Sequence, residues 1–187
     1  MDSARRQLLV ALTLLPAGGA SLAATPMTRG LSIPSGYARI ASACRVPAAL
    51  LYGVALQESQ MTIGESRARE PRPWPWTLNV AGTPARFDTR ARAEQRLRTC
   101  LRIGVDNVDI GPMGINWRYH KMRLVSVERS LDPYWNLRVG AALLAEHFAD
   151  CGDWAEAVGR YHSPANKARA ATYSASVFAR LRRLSHA

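Results

Sequence analysis

The residue with the clearest capacity for chemistry is Glu58, because its position conflicts with its charge. The stretch Pro47-Ala-Ala-Leu-Leu-Tyr-Gly-Val-Ala-Leu-Gln-Glu58-Ser59 predicts a helix with Pro47 at its first position, where a missing N–H costs nothing. Leu51, Val54 and Ala55 recur at helical spacing and mark the face turned toward the core. Glu58 lies four residues past Val54 and seven past Leu51, on that same face. A carboxylate there must be paired, protonated or turned into a cleft, because burying an uncompensated charge is costly. Desolvation raises a carboxyl pKa, and a raised pKa is what a proton donor working near neutral pH requires. The competing expectation is a Glu that has reached the frayed end of its helix and turned to water.

No other group gives an equal signal. Asp109 is the main candidate for a second carboxylate, and a turn-forming Asp accounts for it equally well. His120, His147, His162 and His186 have no Ser or Cys partner in the pattern of an activated nucleophile, so His-assisted attack is not expected. Cys44, Cys100 and Cys151 show no Cys-x-x-Cys spacing and the histidines are dispersed, so no metal site and no cofactor are expected. In an oxidising compartment three cysteines allow one disulfide with one thiol left over, and the sequence leaves all three pairings open.

These residues must be positioned by a chain of 187 residues whose first twenty-odd read as an address. Arg5 and Arg6 supply a positive start, Leu8 to Leu15 an apolar run, and Ser21-Leu22-Ala23 a small-residue cleavage site. The pattern predicts a secretory signal peptide over residues 1–23 and a periplasmic mature chain of one domain over 24–187. No later segment is apolar and long enough to span a membrane once the leader is cut. The net charge of +11, from 25 basic and 14 acidic residues, calls for an anionic partner or surface. Nucleic acid, acidic lipid and an anionic wall polymer all fit, and export argues against nucleic acid. Most of the basic residues are Arg spread along helices, such as Arg90, Arg92, Arg96, Arg98 and Arg102, which a solvated face explains as well.

The mature chain reads as mainly α. Helices are predicted over 35–45, from 47 to 59, from a cap at Asp88 or Thr89 to Ile103, from Asp132-Pro133 to Gly152, around Trp154 to Tyr161, and, after a turn at His162-Ser163-Pro164, on to Leu184 through Tyr173, Val177 and Leu181. Pro71, Pro73 and Pro75 interrupt the helical pattern between 62 and 84. There Thr77-Leu78-Asn79-Val80 and Arg86-Phe87, around a turn at Gly82-Thr83-Pro84, predict a small β-hairpin. Residues 105–116 predict an irregular loop. Trp135 and Trp154, among small apolar residues, predict core positions.

Three segments then combine: Gln57-Glu58-Ser59 at a helix end, Gly111-Pro112-Met113-Gly114-Ile115-Asn116 in a loop, and Ala157-Val158-Gly159-Arg160-Tyr161 late in the chain. In that order they resemble the three signature segments of the soluble lytic transglycosylase (SLT) family, whose fold is lysozyme-like. Pro73-Trp74-Pro75-Trp76-Thr77-Leu78-Asn79-Val80-Ala81-Gly82 and Leu131-Asp132-Pro133-Tyr134-Trp135-Asn136-Leu137 look like a branch encoded with conjugative elements. The resemblance implies a mainly α lysozyme-like domain with a small β-hairpin insertion. It implies an enzyme that cleaves the MurNAc-GlcNAc β-1,4 bond of peptidoglycan glycan strands and leaves 1,6-anhydromuramoyl ends. It implies local wall opening for a conjugation or type IV secretion apparatus.

By the same resemblance Glu58 is the catalytic acid, Ser59 a hydroxyl that contacts the sugar, Met113 a groove-lining residue and Tyr161 the tyrosine that orients the carboxylate. Asn116, in the loop segment, joins the substrate-binding candidates, and Asn79 is a candidate for a substrate acetamido group or for simple turn polarity. Trp74 and Trp76 either stack on sugar rings or plug the hairpin onto the core. Pro112, Gly114 and His162 depart from the family's Leu, Gln and Asn. From the departure at Gly114 we expect a slow enzyme that Gly114→Gln would speed, unless Gly114 has a positive φ. A weakened wall-binding component and a muramidase that uses water, with Asp109 as second carboxylate, are the alternatives.

Overall fold

The computed structural model describes residues 32–63 and 70–185. The Pro47 stretch forms helix α2 (Ala48–Ser59), with Pro47 as its N-cap, after helix α1 (Ser35–Ala43). Leu50, Leu51, Tyr52, Gly53, Val54, Ala55 and Leu56 of α2 are all buried. The helix is therefore apolar on every side and runs through the core, whereas the sequence pattern led us to expect a single apolar face. Helices α6 (Pro133–Cys151) and α8 (Lys167–Ser185) pack on it, as does α1. At Gly53 a Cβ would lie 2.9 Å from Leu181 Cγ, so the missing side chain sets the close approach of α2 and α8.

The capping signals act where the sequence placed them. Thr89 accepts from the Arg92 N–H and opens α3 (Arg90–Arg102). Asp132 caps α6 through the Trp135 N–H, and Gly152 ends it in the left-handed region. Asp153 then caps α7 (Trp154–His162). Short helices α4 (Trp117–Leu124) and α5 (Val127–Ser130) complete the set of eight helices among the described residues.

The chain is mainly helical with two small antiparallel sheets. Strands β1 (Gln60–Ile63) and β2 (Glu70–Pro73) pair with Gln60 opposite Pro73, a hairpin that the prolines had concealed. Two isolated strands have only edges, where a missing N–H is tolerated. The second sheet has the order β4-β3-β5-β6, from β3 (Thr77–Val80), β4 (Thr83–Arg86), β5 (Val108–Ile110) and β6 (Ile115–Asn116). The predicted hairpin is its β3–β4 half, with Thr77 opposite Arg86 and a turn at Ala81-Gly82. The expectation of an irregular loop over 105–116 is corrected: it holds β5 and β6. Val108, Ile110 and Ile115 are buried while Asp109 and Asn116 are not, a two-residue alternation too short to stand out among the glycines.

One hydrophobic cluster joins α1, α2, α3, α6, α8 and the second sheet. Trp135 and Trp154 are corrected from core to its edge. Trp135 Nε1 donates to the Arg123 carbonyl, and Trp154 stacks on Phe148 at 4.1 Å. Most basic residues of α3 pair on its surface, Arg90 with Glu94, Arg92 with Asp88 and Arg98 with Glu128. The expected disulfide is absent: Cys44, Cys100 and Cys151 are free thiols at the ends of α1, α3 and α6, with Cys100 buried in the core. The predicted leader lies outside the described residues, as does Glu65, the carboxyl that with Asp109 would be sought as the acid if Glu58 were not. No single helix among the described residues is long and apolar enough to cross a membrane.

Candidate active site

The site is built where the C-terminus of α2 meets the turn of residues 111–114. Ser59 is fully buried, and its hydroxyl lies 2.8 Å from the Ala55 carbonyl and 3.0 Å from that of Pro112. It thus ties α2 to the turn and is not exposed to a sugar, which corrects its expected role. Gly111 and Gly114 take φ of +73° and +59°, and the Gly114 N–H closes on the Gly111 carbonyl at 3.1 Å. Asn136 of α6 pins the turn from below. Its Nδ2 donates to the Ile110 and Ser130 carbonyls at 2.9 and 3.2 Å, and its Oδ1 accepts from the Met113 N–H at 2.9 Å. From α7, the Tyr161 hydroxyl donates to the Met113 carbonyl at 2.6 Å.

Asn136 is fully buried and makes three hydrogen bonds to backbone groups, all of which an apolar replacement removes. Asn136→Leu is expected to lower stability by about 3–5 kcal/mol, read from the urea midpoint. A midpoint equal to that of the wild type would show that the turn holds its shape without this side chain.

Glu58 stands on this base, half-buried, with its two carboxyl oxygens separately occupied. Oε1 accepts from the Tyr173 hydroxyl of α8 at 2.5 Å. Oε2 faces Gly114, where an added Cβ would lie only 2.7 Å away. Burial pushes the Glu58 pKa from 4.5 up to about 7, the Tyr173 hydrogen bond pulls it down, and the charge of Asp109 adds a further upward push. Tyr173 in turn stacks on His162, with ring centres 4.4 Å apart and planes within 1°. Burial lowers the His162 pKa below its usual value, so this imidazole is neutral above the ordinary histidine range.

Asp109 projects from β5 and is held by two amides. Asn79 Nδ2 donates to Oδ2 at 3.1 Å and Asn116 Nδ2 to Oδ1 at 2.7 Å. Asn116 also caps α4, accepting from the Arg118 N–H. Both asparagines therefore position Asp109; Asn116 Nδ2 also donates to Asn107 Oδ1 at 2.9 Å, so its donors are engaged and its expected role as a substrate ligand is corrected, whereas Asn79 keeps a buried Oδ1 without a partner among the described residues. Met113 is corrected as well: it is fully buried, packed against α6 at Gly140, and serves the site through its backbone. The tyrosine on the Glu58 carboxyl is Tyr173, while Tyr161 holds the turn beneath. Trp74 donates Nε1 to the Phe87 carbonyl and meets Trp76 edge-on at 5.8 Å, so the pair plugs the hairpin and does not line the cleft.

Beside Glu58 opens a cleft of about 660 Å³, lined by Gln57, Glu58, His162, Arg169, Thr172 and Tyr173 among others. Arg180 holds Gln57 of the cleft wall, with Nε and Nη2 each 3.2 Å from Gln57 Oε1 and Nη1 on Gln60. Glu58 is the only carboxyl lining this cleft among the described residues. No group of three His, Cys, Asp or Glu that could hold a metal ion occurs among them. The arrangement is a single carboxyl acid, protonated near neutral pH and oriented by a tyrosine, at the wall of an open cleft. Comparison of the chain with protein-family models, with curated proteins and with solved structures finds no match.

Sequence reasoning missed Tyr173, which it placed on an apolar helix face with Val177 and Leu181. The signal was present, because a buried tyrosine hydroxyl needs a partner as a buried carboxyl does. Tyr173→Phe removes the hydrogen bond that favours the Glu58 carboxylate, so the Glu58 pKa rises further. Any activity that needs the protonated acid should then persist to higher pH, with a turnover about tenfold lower from the looser carboxyl. An unshifted alkaline limb in the pH profile would separate Tyr173 from the acid.

Proposed function

We propose that this protein is a periplasmic lytic transglycosylase with a lysozyme-like fold, acting on peptidoglycan glycan strands. The observation that carries the reading is Glu58: the one cleft carboxyl among the described residues, its pKa raised to about 7 and its carboxyl oriented by Tyr173. Glycoside hydrolysis ordinarily needs two carboxyl groups flanking the bond. Anhydro-forming cleavage needs one. Glu58 protonates the glycosidic oxygen as the C1–O bond breaks, and its carboxylate then takes the proton of the C6 hydroxyl as that oxygen bonds to C1. The attack is intramolecular, so proximity replaces an activated water. A pKa near 7 suits a group that must first give and then take a proton.

The positive charge of the chain suits an anionic wall. The resemblance of residues 73–82 and 131–137 to a conjugation-linked branch supports service to a conjugation or type IV secretion apparatus. A water-using muramidase has one observation in its favour, the electrostatic reach of Asp109 to Glu58. Against it, both Asp109 oxygens already accept from amides. Mass spectrometry of purified peptidoglycan after incubation with the protein separates the readings. Anhydromuramoyl ends are expected; reducing ends would establish the muramidase, and intact strands a wall-binding component.

A further inference from the structure

We infer that Arg169 reads a carboxylate of the substrate, so that the cleft selects glycan strands whose peptide stems carry free carboxyl groups. The inference rests on the reading of the cleft as a glycan site. Arg169 is the only Lys or Arg that lines the cleft among the described residues. Its guanidinium makes no hydrogen bond or ion pair among the described residues; only its backbone N–H is engaged, with Asn166 Oδ1 at 3.0 Å. Other arginines are tied down, as in the pairs Arg118–Asp106, Arg123–Glu146 and Arg160–Glu156, and those without a partner among the described residues, such as Arg96 and Arg138, do not line the cleft.

The fold gains nothing from a cation at this position. Arg169 sits in the first turn of α8, which holds no acidic residue, and a positive charge there opposes the helix dipole. Its charge helps depress the His162 pKa, which places it within electrostatic reach of the ring stacked on Tyr173. Along the same wall the hydroxyl protons of Thr172 and Ser176 are bound to the Ala168 and Thr172 carbonyls. Arg169 is thus the charged donor that the α8 wall presents to a ligand. The sugar rings of a glycan strand carry no charge, whereas the peptide stems end in carboxylates. A guanidinium fork matches a carboxylate with two parallel hydrogen bonds.

The test compares native peptidoglycan with the same material after its free carboxyl groups are converted to amides. Wild-type protein should show a KM about fivefold higher on the amidated strands, with kcat little changed. Arg169→Gln should raise KM on native strands to that same value and be indifferent to amidation. Arg96→Gln, which removes an equal charge from the exposed side of α3, should keep the wild-type preference. Pelleting of the Glu58→Gln protein with each wall preparation, with and without Arg169→Gln, reads binding apart from cleavage and should show the same pattern. Equal wild-type KM on the two substrates, or a loss in Arg169→Gln that is the same on both, would overturn the inference while leaving the glycan reading intact. Failure of the wild type to bind or cleave either preparation would overturn both.

Discussion

Glu58→Gln is expected to lower the release of anhydromuropeptides from isolated wall by about 10²–10⁴-fold, with the fold retained. Glutamine has nearly the shape of a protonated Glu and can still accept from Tyr173, but it has no acidic proton to give. The same substitution carries a thermodynamic signature. Folding moves the carboxyl pKa from 4.5 to about 7, so between those values the folded protein keeps a proton that the unfolded chain has released. The Glu58 contribution to wild-type stability therefore falls as pH rises through that window and is constant above it. Glutamine does not titrate, so the variant should gain on the wild type across the same window. The difference should grow by about 3 kcal/mol between pH 4 and pH 8 in urea titrations. Cleavage at the wild-type rate would move the acid to Asp109 or Glu65. A stability difference that ignores pH would show that the carboxyl is not desolvated.

The part of this site legible in the sequence was the part that violates a simple pattern. Glu58 stood out because a charge interrupted an apolar helical face, and the structure places it at a cleft with its pKa raised. Helix ends were legible for a similar reason, since Thr89 and Asp132 each satisfy local N–H groups whatever the rest of the chain does. What escaped depends on contacts between distant segments. Tyr173 is 115 positions from the carboxyl it orients, and its neighbours gave it the look of an ordinary core residue. Asn136 reaches back 23 and 26 positions to pin Met113 and Ile110, and nothing in its own helix hints at that. Ser59 and Met113 failed in the opposite direction: the resemblance implied substrate contact, but their side chains turn into the protein. The strands β1, β2, β5 and β6 have two to four residues each, too short for a period of two to outweigh nearby Pro and Gly.

Gly114 is where the structure reverses an expectation most sharply. From the sequence, Gly114→Gln should restore a sugar contact and speed cleavage unless Gly114 has a positive φ; it has one, and the surrounding geometry goes further and makes the change inactivating, as it does Gly114→Ala. Gly114 has φ +59°, where a side chain is strained by about 1–2 kcal/mol. More important is what its absent side chain makes room for. A Cβ there would stand 2.7 Å from Glu58 Oε2 and 3.3 Å from Cγ and Cδ, so the carboxyl would have to move. It cannot move freely, because its other oxygen is held by the Tyr173 hydroxyl and that ring is stacked on His162. Either the hydrogen bond breaks or the 111–114 turn shifts, and both misplace the acid against the glycosidic oxygen. A displacement of about 1 Å is enough to cost about 10²-fold in rate. Both variants should therefore cleave wall roughly 100-fold more slowly than the wild type. Alanine should lose nearly as much as glutamine, because the first carbon does the damage. Stability should fall by only about 1 kcal/mol, since a residue other than glycine also restricts the unfolded chain. The check is kcat and KM on isolated wall for the two variants, with circular dichroism and urea midpoints alongside. A glutamine variant that binds tighter and cleaves faster would mean that the Glu58 carboxyl works from a position other than the one it holds against Gly114.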